Sequence, residues 1–293
     1  MPAWIGILLA GAAAYAGICA LVFLFQTRLV YYPSVGRELL LTPKTAGLEY
    51  EDVRLAAADG VRLHGWFIPV TAPRGVVLLF HGNAGNISHR LGWLLMFYRL
   101  GYSTLIIDYR GYGASEGTPS EQGTYLDAEA AWNHLTGQRG FGERDIVLAG
   151  ESLGGAVAAW LAARHAPRAL VLASAFTSVP DLGAKVYPWL PVRLLARIAY
   201  DTRSYLARVR CPVLVAHSRD DEIVPFEQGQ TLWRSAPEPK QFIELAGGHN
   251  DGFIYTRQQW VDELAAFLER QRLPSAPAAG NDARVPPGAP VPR

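Results

Sequence analysis

The stretch Gly150-Glu151-Ser152-Leu153-Gly154-Gly155 limits what this chain can fold into more than any other. Before it stands Asp145-Ile146-Val147-Leu148-Ala149, a short apolar run that reads as a buried strand. After it, residues 156–163 (AVAAWLAA) read as a helix. A strand that turns into a helix within so few residues brings the positions two before and two after the serine face to face. Very small side chains are needed there, and Gly150 and Gly154 supply them. A serine in G-x-S-x-G at a strand-to-helix turn is a nucleophile elbow. The pattern fixes only three positions in a chain with 29 glycines, so the rest of the sequence has to carry the argument.

The surrounding pattern is one of alternating strands and helices. Tyr50 to Ala56 and Val61 to Pro69 flank Asp59-Gly60 and read as a β-hairpin. Continuous apolar runs typical of strands buried on both faces follow at Val76 to Phe80, Ser103 to Asp108, the elbow strand, Ala169 to Ser174 and Pro212 to His217. A further strand is expected over Lys240 to Leu245. Helix patterns cover Ile87 to Leu100, Ser120 to Thr136, Phe226 to Ser235 and Tyr255 to Gln271. The expected fold class is α/β, a mostly parallel sheet entered through an antiparallel N-terminal hairpin, with helices on both faces. No linker interrupts this pattern, so one domain is expected. The net charge of +1 and the scattered basic residues argue against nucleic acid as a partner. The two cysteines, Cys19 and Cys211, lie in unrelated segments and are not expected to form a disulfide.

Residues Ala3 to Phe25 carry no charge. As a helix, such a run reaches about 34 Å, enough for a hydrocarbon core of about 30 Å. It is read as a retained membrane anchor over residues 1–28. The alternatives are a cleaved signal, which calls for a basic start and a shorter apolar core, and a buried core helix. Leu29 to Pro33 place two tyrosines where an interfacial belt would sit. Arg28, Arg37 and Lys44 follow the span, and by the positive-inside rule they put the following domain in the cytoplasm. Residues 273–293, rich in Pro, Ala and Gly, read as a disordered tail.

A serine hydroxyl needs a base, and the base needs an orienting acid. In an open parallel sheet these groups stand at the carboxyl ends of strands. Of the seven histidines, His64 falls in the hairpin, and His89, His134 and His165 fall on helix patterns. His81 and His217 follow strands. His249, in Gly247-Gly248-His249-Asn250 after the last strand, is the candidate base. Asp220, Asp221 and Glu222 crowd the loop after the strand that ends at His217, and all three are candidates for the acid. The chain order of nucleophile, acid and histidine is that of the elbow fold. An oxyanion needs two backbone N–H donors. Leu153, at the helix start, offers one, and the loop His81-Gly82-Asn83-Ala84-Gly85-Asn86 offers the other, with Asn83 the candidate. This glycine-rich loop lacks the spacing of a nucleotide-binding motif. Chemistry of this kind requires no metal or organic cofactor.

Taken with Leu29 to Pro33, the His81–Asn86 loop, Asp108-Tyr109-Arg110-Gly111-Tyr112-Gly113-Ala114-Ser115-Glu116-Gly117, the elbow, Asp221 to Pro225 and Gly248-His249-Asn250, the chain resembles the α/β-hydrolase superfamily. More closely, it resembles the BEM46-like membrane-anchored hydrolases over roughly residues 20–270. The resemblance implies an α/β-hydrolase domain over residues 29–272 and selects Asp221, four residues before Pro225, as the acid. The chain departs from the family pattern at His217-Ser218, where His-Gly is common. It also implies a short cap at about residues 176–208, in which residues 186–191 (VYPWLP) could line an acyl pocket, dip toward the bilayer or pack as core. Arg110 reads as part of a fixed turn, with a substrate clamp as the alternative, and Glu151 is a candidate partner for it. The expected activity is a serine hydrolase acting on carboxylic esters or thioesters of lipophilic or lipid acyl substrates, through Ser152, His249 and Asp221. Peptidase and acyltransferase chemistry would use the same residues, and a non-catalytic membrane-tethered binding protein is the alternative of another class.

Overall fold

The computed structural model describes residues 2–33, 37–250 and 257–271. Its centre is an eight-stranded sheet in the order β1-β2-β4-β3-β5-β6-β7-β8. The strands are β1 (Glu51–Ala56), β2 (Arg62–Ile68), β3 (Val76–Phe80), β4 (Ser103–Ile107), β5 (Ile146–Glu151), β6 (Ala169–Ala173), β7 (Val213–Ser218) and β8 (Lys240–Leu245). The β1–β2 hairpin and the β2–β4 pair are antiparallel, and every other neighbour is parallel. All the parallel strands therefore present their carboxyl ends along one edge, which is where a site is expected in an open α/β sheet.

The helices are α1 (Ala3–Val30), α2 (Leu91–Arg99), α3 (Glu121–Asn133), α4 (Leu153–Ala162), α5 (Val179–Val186), α6 (Val192–Leu195), α7 (Thr202–Leu206), α8 (Phe226–Ser235) and α9 (Gln258–Arg270). The start expected for the last helix, at Tyr255, lies outside the described residues, as does the tail. The helix expected from Ile87 begins as a tight 3₁₀ turn, Ile87–Arg90, capped by the Asn86 side chain, which accepts from Ser88 N–H at 2.8 Å. Side chains alternate across each strand. Val76, Leu78, Phe80, Leu148 and Leu172 pack with α3 and α4 on one face, while Val77, Leu79, Val147, Ala149 and Val171 pack with α2 and α9 on the other. Burial on both faces explains why the central strands are apolar without interruption.

Helix α1 contains an 18-residue window of mean hydropathy 2.4, none of it buried, and is long and apolar enough to cross a membrane. It runs on through Val30 without a break, so it enters the domain as a rigid element. Tyr31 then corrects the interfacial-belt expectation. It is buried in the domain, its hydroxyl 2.9 Å from that of Tyr200, and only Tyr32 remains half-exposed. Cys19 and Cys211 are both free.

Two buried polar groups brace the turns near the strand ends. The Arg110 guanidinium is shared between Asp59, at 2.6 Å, and the fully buried Asp127, at 2.8 Å. It therefore anchors the turn after β4 to α3 and the hairpin loop, and is not free to clamp substrate. The expected pairing of Arg110 with Glu151 does not form, because Glu151 is held by Arg90 at 2.9 Å. At the end of β4, Asp108 accepts the Ile87 N–H at 3.0 Å and faces both His64, at 3.7 Å, and His81, at 3.8 Å. His81 is completely buried and donates from Nδ1 to the Gly82 carbonyl at 2.7 Å. Burial pushes its imidazolium down to about 4, and the Asp108 carboxylate only partly offsets that.

Both braces give measurable expectations. Asp127→Ala leaves a buried guanidinium short of its partner, and should lower stability by about 3 kcal/mol in urea unfolding at pH 7. For His81, the unfolded chain takes up a proton near the ordinary value of about 6.5 that the folded chain refuses until about 4. Stability should therefore fall as pH falls through that window, by about 2 kcal/mol from this group at pH 5. His81→Asn should flatten the decline between pH 7 and 5; an unchanged slope in urea titrations would sink this assignment.

Candidate active site

The elbow is built by backbone contact. A Cβ on Gly150 would collide with the Gly154 carbonyl, and one on Gly154 would collide with the carbonyls of Phe80 and His81. With hydrogen at both positions, α4 can start directly on top of the β3 end. Ser152 occupies the turn itself, with φ 52° and ψ −116°. That left-handed φ costs a non-glycine residue about 1–3 kcal/mol and persists only where the surroundings over-determine it. Here the Ser152 N–H donates to the Ala173 carbonyl of the neighbouring strand at 2.9 Å, and glycines on both sides leave the backbone no slack. Ser152 remains partly open to solvent, while Leu153, the first residue of α4, is buried. The N–H groups of a first helical turn have no acceptor within their helix, so Leu153 N–H stands at the positive end of α4.

The loop after β3 runs beside the serine. The Cβ direction of Gly82 points to within 3.6 Å of Ser152 Cβ and of the Glu151 carbonyl. The Asn83 side chain turns away from the elbow. Its amide nitrogen donates to the Val30 carbonyl at the end of α1, and its carbonyl oxygen accepts from Tyr112 Oη at 2.8 Å. A parallel bridge between Tyr32 and Ala84 continues the attachment. Any contribution of Asn83 to an oxyanion site thus falls to its backbone N–H, with the side chain fixing the loop.

At the ends of β7 and β8 the structure brings Asp221 and His249 together. Asp221 is buried. Its Oδ1 accepts the N–H groups of Ile223, at 3.0 Å, and Val224, at 2.7 Å, and its Oδ2 accepts from His249 Nδ1 at 2.8 Å. Burial opposes ionisation of this carboxyl. The hydrogen bond from His249 and the Val224 N–H nevertheless hold it below the ordinary aspartate value. When the imidazole is neutral, donation from Nδ1 makes Nε2 its accepting nitrogen. The other two acids of the cluster are occupied elsewhere. Glu222 accepts the His249 backbone N–H at 2.9 Å, and Asp220 accepts the Gly247 N–H at 3.4 Å. Both are exposed, and from the solvated side of the turn they tie down the histidine loop.

His217 is a supporting residue. It is fully buried, donates from Nε2 to the Val224 carbonyl at 2.8 Å, and has its imidazolium disfavoured chiefly by burial. It packs under the same loop that supplies the Asp221 contacts. The Arg90–Glu151 pair next to the serine, and the Glu222 contact, were not foreseen from the sequence. Only the carboxylate at the x position of the elbow hinted that a cation must stand nearby.

A family profile described as serine aminopeptidase, S33, matches residues 71–202. The α/β hydrolase domain-containing protein WAV2 of Arabidopsis thaliana is 36% identical over 285 residues, covering 89% of this chain and 92% of WAV2. Protein bem46 of Schizosaccharomyces pombe is 37% identical over 225 residues, covering 71% of this chain and 74% of bem46. Among solved structures, the esterase Pf2001 of Pyrococcus furiosus superposes with a TM-score of 0.67 at 22% identity, over 82% of this chain and 96% of that one, which speaks to the fold. With a mostly parallel sheet, a serine elbow after β5 and relatives matched over 92% and 74% of their length, the chain belongs to the α/β-hydrolase superfamily and, within it, to the group that includes WAV2 and bem46.

Proposed function

We propose that this α/β-hydrolase is a membrane-anchored serine hydrolase that cleaves carboxylic esters or thioesters of lipophilic acyl groups through a covalent acyl-enzyme. The observation that carries the reading is the 2.8 Å hydrogen bond from His249 Nδ1 to Asp221 Oδ2, on the sheet edge where Ser152 sits at the elbow. In this reading Ser152 Oγ attacks the acyl carbonyl and His249 Nε2 takes the hydroxyl proton. Asp221 keeps the imidazole oriented and stabilises the imidazolium that forms. The oxyanion is received by the backbone N–H groups of Leu153 and Asn83. Collapse of the tetrahedral intermediate expels the alcohol or thiol, which leaves with the proton held by His249. Water then enters, gives its proton to His249, and releases the acyl group as a carboxylic acid while Ser152 recovers its hydrogen.

Helix α1 serves as the anchor in this reading, and the basic residues that follow it favour a cytoplasmic domain. Residues 29–272 form the hydrolase domain, with α5 to α7 as its cap. Lipophilic substrates are favoured because the cap carries Tyr187, Trp189 and Leu194 with their apolar surfaces exposed. The serine aminopeptidase description of the matching profile keeps a peptidase reading in view. The same triad would serve it, and a panel of acyl esters, thioesters and aminoacyl amides separates the two by kcat/KM.

A fluorophosphonate probe should label the folded protein at Ser152, and Ser152→Ala should abolish labelling. Failure of the folded wild-type chain to label would remove the serine-hydrolase reading. On whichever ester is turned over, Ser152→Ala should lower kcat by about 10⁶, and Asp221→Asn, which removes the charge that orients the imidazole, by about 10⁴. Activity that survives both substitutions would place the chemistry elsewhere.

A further inference from the structure

The cap rises directly from the site. Ala173, whose carbonyl receives the Ser152 N–H, is the last residue of β6, and α5 begins at Val179. From there the chain runs out as α5, turns over residues 187–191, and returns as α6. The return leg is fixed to the body of the domain. Glu121 of α3 accepts the backbone N–H groups of Ala199 and Tyr200, each at 2.7 Å, and Tyr200 meets Tyr31.

The outer part of this cap lies along α1. Gln26 donates to the Leu195 carbonyl at 3.2 Å and accepts the Arg197 N–H at 2.6 Å. Farther along the helix, Tyr15 donates to the Trp189 carbonyl at 2.8 Å. Gln26 and Tyr15 are eleven residues apart, which is about 16 Å along a helix axis, or about half of a hydrocarbon core of about 30 Å. Tyr15 stands in the middle of the apolar run, so whatever it hydrogen-bonds lies at the depth of that middle.

Two further properties of the tip fit a water-free environment. Its side chains point apolar surface outward: Val186 and Tyr187 are each 51% exposed, Trp189 56% and Leu194 86%. Its backbone is also largely closed on itself. Tyr187 donates to Gly183, Leu190 to Tyr187, Val192 to Leu190 and Leu194 to Pro191, while Pro188 and Pro191 have no N–H to satisfy. Tyr15 covers the Trp189 carbonyl. An irregular segment entering lipid must meet this demand, because each unpaired backbone group costs several kcal/mol there. The nearby cations are engaged rather than bare. Arg193 pairs with Asp181 at 3.0 Å, and the Arg197 guanidinium lies 4.7 Å over the Phe23 ring, one turn inside Gln26. Long basic side chains of this kind can extend to headgroups while their stems stay in apolar surroundings.

We propose that the cap tip, residues 186–195, is a second membrane-embedded element, inserted beside α1 into the leaflet that faces the domain. Its partner is the lipid bilayer itself. The inference rests on α1 being an anchor, and the experiment separates the two. Single-cysteine variants Leu8→Cys, Leu194→Cys and Glu238→Cys are made in a full-length Cys19→Ala, Cys211→Ala chain. Each is labelled with an environment-sensitive fluorophore and reconstituted into phosphatidylcholine–phosphatidylglycerol vesicles with or without acyl-chain nitroxide lipids. Positions 8 and 194 should both be quenched, with position 238, on the loop before β8, unaffected. Quenching at position 8 while position 194 behaves like position 238 overturns the inserted cap and leaves the anchor standing. No quenching at position 8 removes the anchor reading and the inserted cap with it.

Discussion

The contact on which the rest of the site depends is that of Gly154 with the carbonyls of Phe80 and His81. Because α4 begins in contact with the end of β3, the loop that follows β3 is forced alongside the residue that precedes α4. Serine and loop therefore share one wall by construction. The same contact accounts for the unusual backbone of Ser152. A left-handed φ at a non-glycine residue relaxes wherever the chain has room. Here glycine-to-carbonyl packing on one side and the hydrogen bond to Ala173 on the other leave none. The strain is the cost of holding a side chain out at the strand ends, where it remains partly accessible.

A second constraint acts at the far side of the sheet edge. Three consecutive acidic residues would repel one another if they pointed into a common space. They diverge instead. Asp221 turns inward to two backbone N–H groups and to His249, Glu222 to the backbone of His249, and Asp220 to that of Gly247. The imidazole is thus fixed by one carboxylate while its own loop is fixed by the other two. Buried His217 below donates to the Val224 carbonyl, so the Asp221 turn rests on a ring whose protonation burial disfavours.

The parts legible in sequence were those governed by local pattern. Central strands buried on both faces give unbroken apolar runs, and β3, β8 and α8 fall where those runs and the helical spacing put them. The elbow was legible because sterics demand glycine at fixed offsets. Pairings between distant segments were not. Arg90 reaches Glu151 from the last residue of the 3₁₀ turn before α2, and no periodicity encodes a contact between segments so far apart in the chain. Arg110 reads as a reachable cation until its register is known, which sets it between Asp59 and Asp127. Tyr31 reads as an interfacial aromatic for a similar reason: its position beside an apolar run is local information, whereas the Tyr200 hydroxyl it meets comes from the segment between β6 and β7.

That last pairing bears on how the two ends of the molecule are joined. Helix α1 is continuous to Val30, so its last turn cannot bend independently of the rest of the apolar helix. The carbonyl of Val30 holds the Asn83 side chain, Tyr112 holds it from the other side, and Tyr32 bridges Ala84. Through these contacts the loop beside Ser152 is fastened to the end of the apolar helix as well as to the sheet. One residue beyond Val30, Tyr31 fastens the same helix end to Tyr200, and so to the segment between β6 and β7. A helix tethered only by a flexible linker would leave the loop and the segment between β6 and β7 to find their positions separately. Here one rigid element registers both against the elbow, so the apolar helix is a structural component of the site.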